Sequence, residues 1–282
     1  MKFISALKRW RPLQLSGLLM VLLVVGFSLL YPLSPGYDPY TQNLSSILQS
    51  PGSSGHWLGT DSLGRDVASR LALGGRTTLS IALAVILANM VIGIIIGMVA
   101  GYFGGRTDNV LMGLTDVQLA LPVMLVLIAF SAVYGPSVTL MIVVLSVTYW
   151  VGYARVARSV ALSLAGRDFV LAPKIQGAGP LWIMRRHIAP NVFTQVLIVA
   201  TTDLGAIIIL IASFDFLGLG IQAPTPSWGS MISDGQGYLR QQPALVMIPG
   251  VAMFLIIAGT NLISQRFTEE GAGAPARRKV AA

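Results

Sequence analysis

The sequence predicts an all-α, polytopic membrane protein with six transmembrane helices. Three observations carry that prediction: a shortage of charge, six apolar runs of spanning length, and a lopsided distribution of Lys and Arg. Of 282 residues, 54% are hydrophobic and only 11% charged, and the mean hydropathy is +0.74. A soluble domain carries about a quarter charged residues. So little charge cannot coat a water-facing surface of this size, and the bilayer is the natural solvent for the excess apolar area.

A spanning helix needs about 20 mostly apolar residues. The first run, 13–33, follows Lys2, Lys8, Arg9 and Arg11. A cleaved signal would have an apolar stretch of about 7–15 residues and a small-x-small site. This run is longer and ends in Tyr31-Pro32-Leu33-Ser34-Pro35, so it reads as a retained span, with 1–12 as a cytoplasmic N-terminus. The others are 77–100, 114–134, 137–157, 188–211 and 245–263. Segment 34–76 is the first long polar gap and 212–244, rich in Gly, Pro and Ser, the second. Residues 266–282 read as a flexible cytoplasmic tail.

Cytoplasmic loops hold the excess of Lys and Arg. With the N-terminus inside, fifteen of the nineteen basic residues fall on inner segments, leaving Arg65, Arg70, Arg76 and Arg240 outside. Both termini are therefore expected in the cytoplasm, together with the basic stretch between the fourth and fifth spans. The formal charge of +8 sits at the ends of apolar runs, with no aromatic–basic interleaving and no nucleic-acid motif, so nucleic acid is not an expected partner. Membrane lipid is. No cysteine is present, which excludes disulfides, thiolate metal sites and thiol nucleophiles.

The segment 163–190 is the most informative cytoplasmic stretch. Asp168 is placed to cap a short helix beginning at Phe169, Gly177 to end it, and Gly179-Pro180 to form a hinge. A second short helix follows over 181–187, and Pro190 permits entry into the fifth span. The result is a helix–Gly–helix knob carrying Phe169, Val170, Ile175 and Trp182, suited to docking in a groove on a partner. The alternative is an ordinary basic loop. None of the four lysines lies in GxxxxGK[ST], so the chain has no phosphate loop of its own.

Polar residues inside spans are the candidates for a translocation path, because they are costly in lipid and face a cavity or another helix. Asp203, beside Thr201 and Thr202, leads them; Asn89, Asp116, Gln118 and Asn261 follow. Gly93, Gly97 and Gly101 form a small-residue stripe expected to permit close helix packing. Tyr149, Trp150 and Tyr153 read as an interfacial belt or a helix contact, or as lining of a path. The outer loop holds Trp228, Asp234 and Tyr238, and one reading of it is a plain surface loop.

Several passages resemble one family in that family's order. Leu171-Ala172-Pro173, Gly177 and Ala189-Pro190 are similar to the EAA loop of ATP-driven importer permeases, with Leu171 in place of the signature Glu and Pro173 in place of the second Ala. Gly59-Thr60-Asp61-Ser62-Leu63-Gly64-Arg65-Asp66 resembles the GTDxxGRD signature of the dipeptide/oligopeptide/nickel permeases. So do Gly101-Tyr102-Phe103-Gly104-Gly105 with Asp108, Asp116 and Pro122, and Phe216-Leu217-Gly218-Leu219-Gly220 followed by 224–229 and Met231-Ile232.

The resemblance implies the type I importer transmembrane fold, with a transmembrane domain over 77–265. It implies a second, homologous permease subunit and two ATP-binding subunits, which bind the ATP and magnesium. It further implies an extracytoplasmic substrate-binding protein that delivers cargo, with Trp228, Asp234 and Tyr238 of the outer loop as its contacts. It places ATPase coupling on Asp168, Leu171, Ala172, Pro173, Gly177, Trp182 and Arg185, and no catalysis or metal binding in this chain. The runs 169–172, 177–179 and 200–205 look more like the nickel branch. Against bare-metal coordination stand the two histidines and absent cysteines, since nickel favours imidazole or thiolate; a metal chelate, dipeptide or oligopeptide is the expected cargo. The reading from another class is a stand-alone secondary transporter or channel, and a third is a non-transporting scaffold.

Overall fold

The structure, a computed structural model, describes residues 12–271, with side chains as far as Gln265. Helix α1 (Pro12–Leu30) closes in a 3-10 turn over Tyr31–Leu33. An irregular segment then leads to α2 (Val67–Phe103), the longest helix with α9 and its preceding turns. Asp66 caps α2, its side chain accepting from the Ser69 amide at 2.7 Å, which satisfies one of the donors a helix start leaves unpaired. The helix therefore begins at Val67, well before the expected span start at 77. Gly104, at φ +63°, ends it.

The expected third span, 114–134, is two helices. α3 (Gly105–Leu119) and α4 (Val123–Tyr134) meet at 76° across a break at 120–122. Pro122 disfavours helical backbone at the residue before it, and hydropathy alone cannot register such a bend. The next expected span becomes α5 (Val138–Thr148) and α6 (Val151–Ala165), which together form one apolar rod over Val138–Ala165. Then come α7 (Asp168–Ile175), α8 (Pro180–Ile183), a π-helical turn at Met184–Ile188 and α9 (Ala189–Phe216). Last are α10 (Trp228–Gln236) and α11 (Ala244–Gly271). Among the described residues, five rods are long and apolar enough to cross a membrane, or six when the bent α3–α4 pair is counted as one span. α11 runs on through 266–271, so that part of the expected tail is helical; the rest of the tail and residues 1–11 lie outside the described residues.

α2 is the axis of the bundle. It packs on α6, α9 and α1, and α11 packs on α1 and α9. Lipid tails are as apolar as Leu, so close packing rather than transfer from water must hold such helices together. The glycine stripe supplies that closeness. A Cβ at Gly93 would fall 2.4 Å from the Tyr153 Cβ, at Gly97 2.1 Å from the Ala154 carbonyl oxygen, and at Gly101 2.5 Å from the Arg158 carbonyl oxygen. α1 and α11 cross in the same manner: a Cβ on Gly17 would sit 2.8 Å from the Gly259 carbonyl oxygen, and the reverse holds at the same distance.

Candidate functional site

At one end of the bundle, α7, α8 and the π turn form an elbow. Arg167, with extended backbone, is the N-cap of α7, and Asp168 is its first helical residue. This corrects the expected cap at Asp168: the carboxylate sits in the first turn, where the helix dipole favours it. Gly177, at φ +85°, ends α7 in a Schellman turn. The Ala178 amide donates to the Pro173 carbonyl at 2.9 Å and the Gly177 amide to the Lys174 carbonyl at 3.1 Å, the paired bonds that satisfy a helix C-terminus. Pro173 lies inside α7 without ending it.

Pro180 opens α8, as proline suits a first helical position. The second short helix was expected to stop at His187, but the chain instead continues through the π turn into α9, giving one apolar rod over Pro180–Phe216. Pro190 explains the widened turn. It has no N–H to give the Arg186 carbonyl and its ring would crowd that carbonyl, while the Ala189 amide reaches back to Met184. Val170 is buried inward, whereas Ile175 is 85% exposed and Leu181 76%, with Phe169, Leu171, Trp182 and Arg185 also on the surface. His187 tucks beneath, its ring 5.3 Å from Trp182 and 6.2 Å from Phe169.

The path candidates are spread over the bundle. Asp203, on α9, is half-buried beside Tyr153 and Tyr149 of the α5–α6 rod. Asn89 is fully buried within this chain's own core. Asp116 is 71% exposed and pairs with Arg155 at 2.7 Å; Gln118, two residues on along the same helix, is half-buried. Arg158 grips Asp108 with both its Nε and Nη2, the latter at 2.6 Å. These two ion pairs strap α3 to α6.

At the opposite end, the GTDSLGRD stretch is a folded knot. Asp61 Oδ1 accepts from the amides of Leu63 (2.9 Å) and Arg65 (3.0 Å). Its Oδ2 pairs with Arg65 Nε at 2.7 Å and Arg70 Nε at 3.3 Å, and Thr60 Oγ1 donates to the Ser46 carbonyl. Gly64, at φ +71°, lies against Asn43, whose carbonyl oxygen would be 1.9 Å from an added Cβ. The α10 loop docks on this knot: Asp234 Oδ2 stands 3.6 Å from Arg70 and 3.8 Å from Arg65. Burial pushes the Asp234 carboxyl above its ordinary range, against the pull of Arg70 and Arg65.

Trp228, expected at an outer contact surface, is 1% exposed. Its Nε1 donates to the Leu71 carbonyl at 3.2 Å and its amide to Thr78 Oγ1 at 3.3 Å, so it anchors the loop to α2. Asp234 is half-exposed and Tyr238 partly so. Arg70 and Thr78 were not singled out from sequence, since nothing local signals a partner so distant along the chain.

The family described as "binding-protein-dependent transport system inner membrane component" matches residues 93–269. The chain belongs to that family. The nickel transport system permease protein NikC of Escherichia coli (strain K12) is 37% identical, over 80% of this chain and 82% of that protein. The dipeptide permease DppC of Alkalihalophilus pseudofirmus is 33% identical over 89% and 82%. The oligopeptide permease OppC of Bacillus subtilis (strain 168) is 33% identical over 92% and 85%.

The chain is thus an ABC importer permease subunit of the dipeptide/oligopeptide/nickel family and a multi-pass inner-membrane protein. The permease also shares its fold with a subunit of the MetNI methionine ABC transporter, solved in an inward-facing conformation. The TM-score is 0.55 at 17% identity, covering 70% of this chain and 94% of that one.

Proposed function

We propose that this permease and a homologous second permease enclose the path of an importer, fed by an extracytoplasmic binding protein and driven by two ATP-binding subunits. The chain performs no covalent chemistry. The carrying observation is mechanical: the elbow's apolar face, exposed at Phe169, Ile175, Leu181 and Trp182, joins through the π turn the same rod that bears Asp203. A partner gripping the elbow through Asp168, Leu171–Pro173, Gly177, Trp182 and Arg185 acts on α9 directly through α8 and the π turn, and through α7 across the turn that joins it to that rod. Asp203 and Gln118 line the path, and Asp234 with Tyr238 meet the binding protein.

Both termini and the elbow lie in the cytoplasm, where the excess of Lys and Arg belongs. The cargo is a peptide or a metal chelate. Neither histidine is presented to a path: His56 Nδ1 lies 3.0 Å from Asp66, and His187 is packed under Trp182. A bare nickel ion would lack the imidazole or thiolate ligands it favours.

The test is the double variant Ile175→Asp/Leu181→Asp in the assembled complex. The ATP-binding subunits should dissociate on purification and uptake should vanish, with the chain still in the membrane. Unchanged uptake would sink the reading. In the cysteine-free background, Ile175→Cys in the permease expressed without ATP-binding subunits should react with an impermeant maleimide in inverted vesicles and stay protected in intact cells.

A further inference from the structure

We propose that the cleft between α1 and α11 is a lipid site that holds one acyl chain of an anionic glycerophospholipid, with its phosphate at Arg76. The two helices touch backbone to backbone at Gly17 and Gly259 and splay from there, opening a cleft of about 320 Å³. Val24 and Phe27 form one wall, Val251 and Leu255 the other, and Leu71 and Trp228 the floor. The lining is almost wholly apolar, and its one hydroxyl, Ser28 Oγ, already donates to the Val24 carbonyl at 2.9 Å. Apolar cavities stay dry and take apolar guests.

The shape selects the guest. From Ala252 to the Gly259 contact is about two helical turns, and a helix with its side chains is about 10–12 Å across. A helix cannot enter a wedge that closes to backbone contact over that length; a single hydrocarbon chain can. Both walls belong to membrane-spanning rods, so lipid is the apolar matter at hand.

The mouth fixes the headgroup. Trp57 Nε1 donates to the Tyr31 hydroxyl at 3.1 Å, and Phe27 stacks on Tyr31 at 5.0 Å. Such aromatics mark the headgroup level. Arg76 is held at this level, its Nε donating to the Ser28 carbonyl at 2.8 Å and its Nη2 to the Leu29 carbonyl at 2.6 Å. Its positive charge, next to the chain-binding wall, complements a phosphate. The proposal needs only that α1 and α11 lie in the bilayer, and stands apart from the reading of cargo and partners.

The test reconstitutes the assembled complex into phosphatidylcholine nanodiscs containing phosphatidylglycerol brominated on its acyl chains. Bromine quenches tryptophan on contact, and Trp228 is buried at the cleft floor. The native complex should show a quenched component that is absent in Trp228→Phe and lost in Ala252→Phe, which fills the cleft. If Ala252→Phe fails to fold, Val251→Phe fills it from the mouth with the same expected loss. Brominated phosphatidylcholine should bind about fivefold more weakly, the preference one basic residue at a membrane surface supplies, and Arg76→Gln should erase that difference. Quenching indifferent to the filling variants overturns the site. Quenching seen in the isolated chain but not in the complex overturns it also, and assigns the cleft to a partner subunit.

Discussion

Asp61 carries more than any other single side chain at the signature end. One carboxylate faces two nearly buried guanidiniums and two backbone amides. Removing one partner from a buried ionic cluster leaves charge without compensation, at a cost of about 3–5 kcal/mol. Asp61→Ala should therefore lower the thermal unfolding midpoint of the solubilised chain sharply, while Asp66→Ala, which removes a helix cap worth about 0.5–2 kcal/mol and a part-exposed contact with His56, should lower it less. Equal midpoints for the two variants would refute this ranking. Asp234 behaves in the opposite sense. Because burial lifts its folded pKa despite Arg70 and Arg65, the folded chain holds that proton more tightly than the unfolded chain does. The ionised carboxylate thus subtracts stability at neutral pH, and the deficit fades as pH falls through the folded value toward the unfolded one near about 3.9. Asp234→Asn should match or exceed the native midpoint at pH 7, with its advantage shrinking on acidification. An advantage that grows toward low pH would contradict the assignment.

At the scale of elements, the helices depend on what can approach what. Gly97 is the tightest point of the α2–α6 contact, and no side-chain rearrangement relieves a clash with a backbone carbonyl. Gly97→Leu must push the helices apart, costing about 1–3 kcal/mol or more, whereas Gly113→Ala, in open space inside α3, should stabilise slightly, by up to about 1 kcal/mol. The check is a comparison of folded yield and thermal midpoint for the two. This stripe was legible in the sequence because its four-residue period is a packing signal in itself, as were the apolar runs, whose length alone separates them from soluble helices. The bend in α3–α4 was not, because hydropathy has no angle in it and Pro122 is equally at home at a helix start. The cap of α7 was displaced by one residue for a related reason: Arg167 and Asp168 both suit a helix start, and only backbone geometry tells them apart. The knot at 43–66 was recognised as a motif but not as a structure. Its contacts run from side chains to carbonyls far along the chain, such as Gln242 Nε2 donating to Gln49 at 2.9 Å, and no local pattern encodes them.

For the whole molecule, the break between α3 and α4 is the most informative irregularity. In hydrocarbon, backbone groups that lose their helical partners must be covered by protein or line a watery cavity. In this chain the break is exposed: Leu119 is 58% exposed and Leu121 52%, with Ala120 and Pro122 also on the surface, although the amides of Ala120 and Leu121 reach back to Asp116 and Gln118. The same pair carries exposed apolar side chains along its length, among them Val110, Val117, Leu125 and Val133. A lone permease in lipid would therefore leave a structural cost at 120–122, which the proposed second permease is expected to answer. Leu121→Cys, the only thiol in the chain, should form a cross-link to a matching cysteine in the partner permease, and co-assembly should slow its reaction with a membrane-permeant maleimide. A reaction rate indifferent to the partner would mean that the break faces lipid or water in the assembled importer, and the pairing face would have to be sought elsewhere on the bundle.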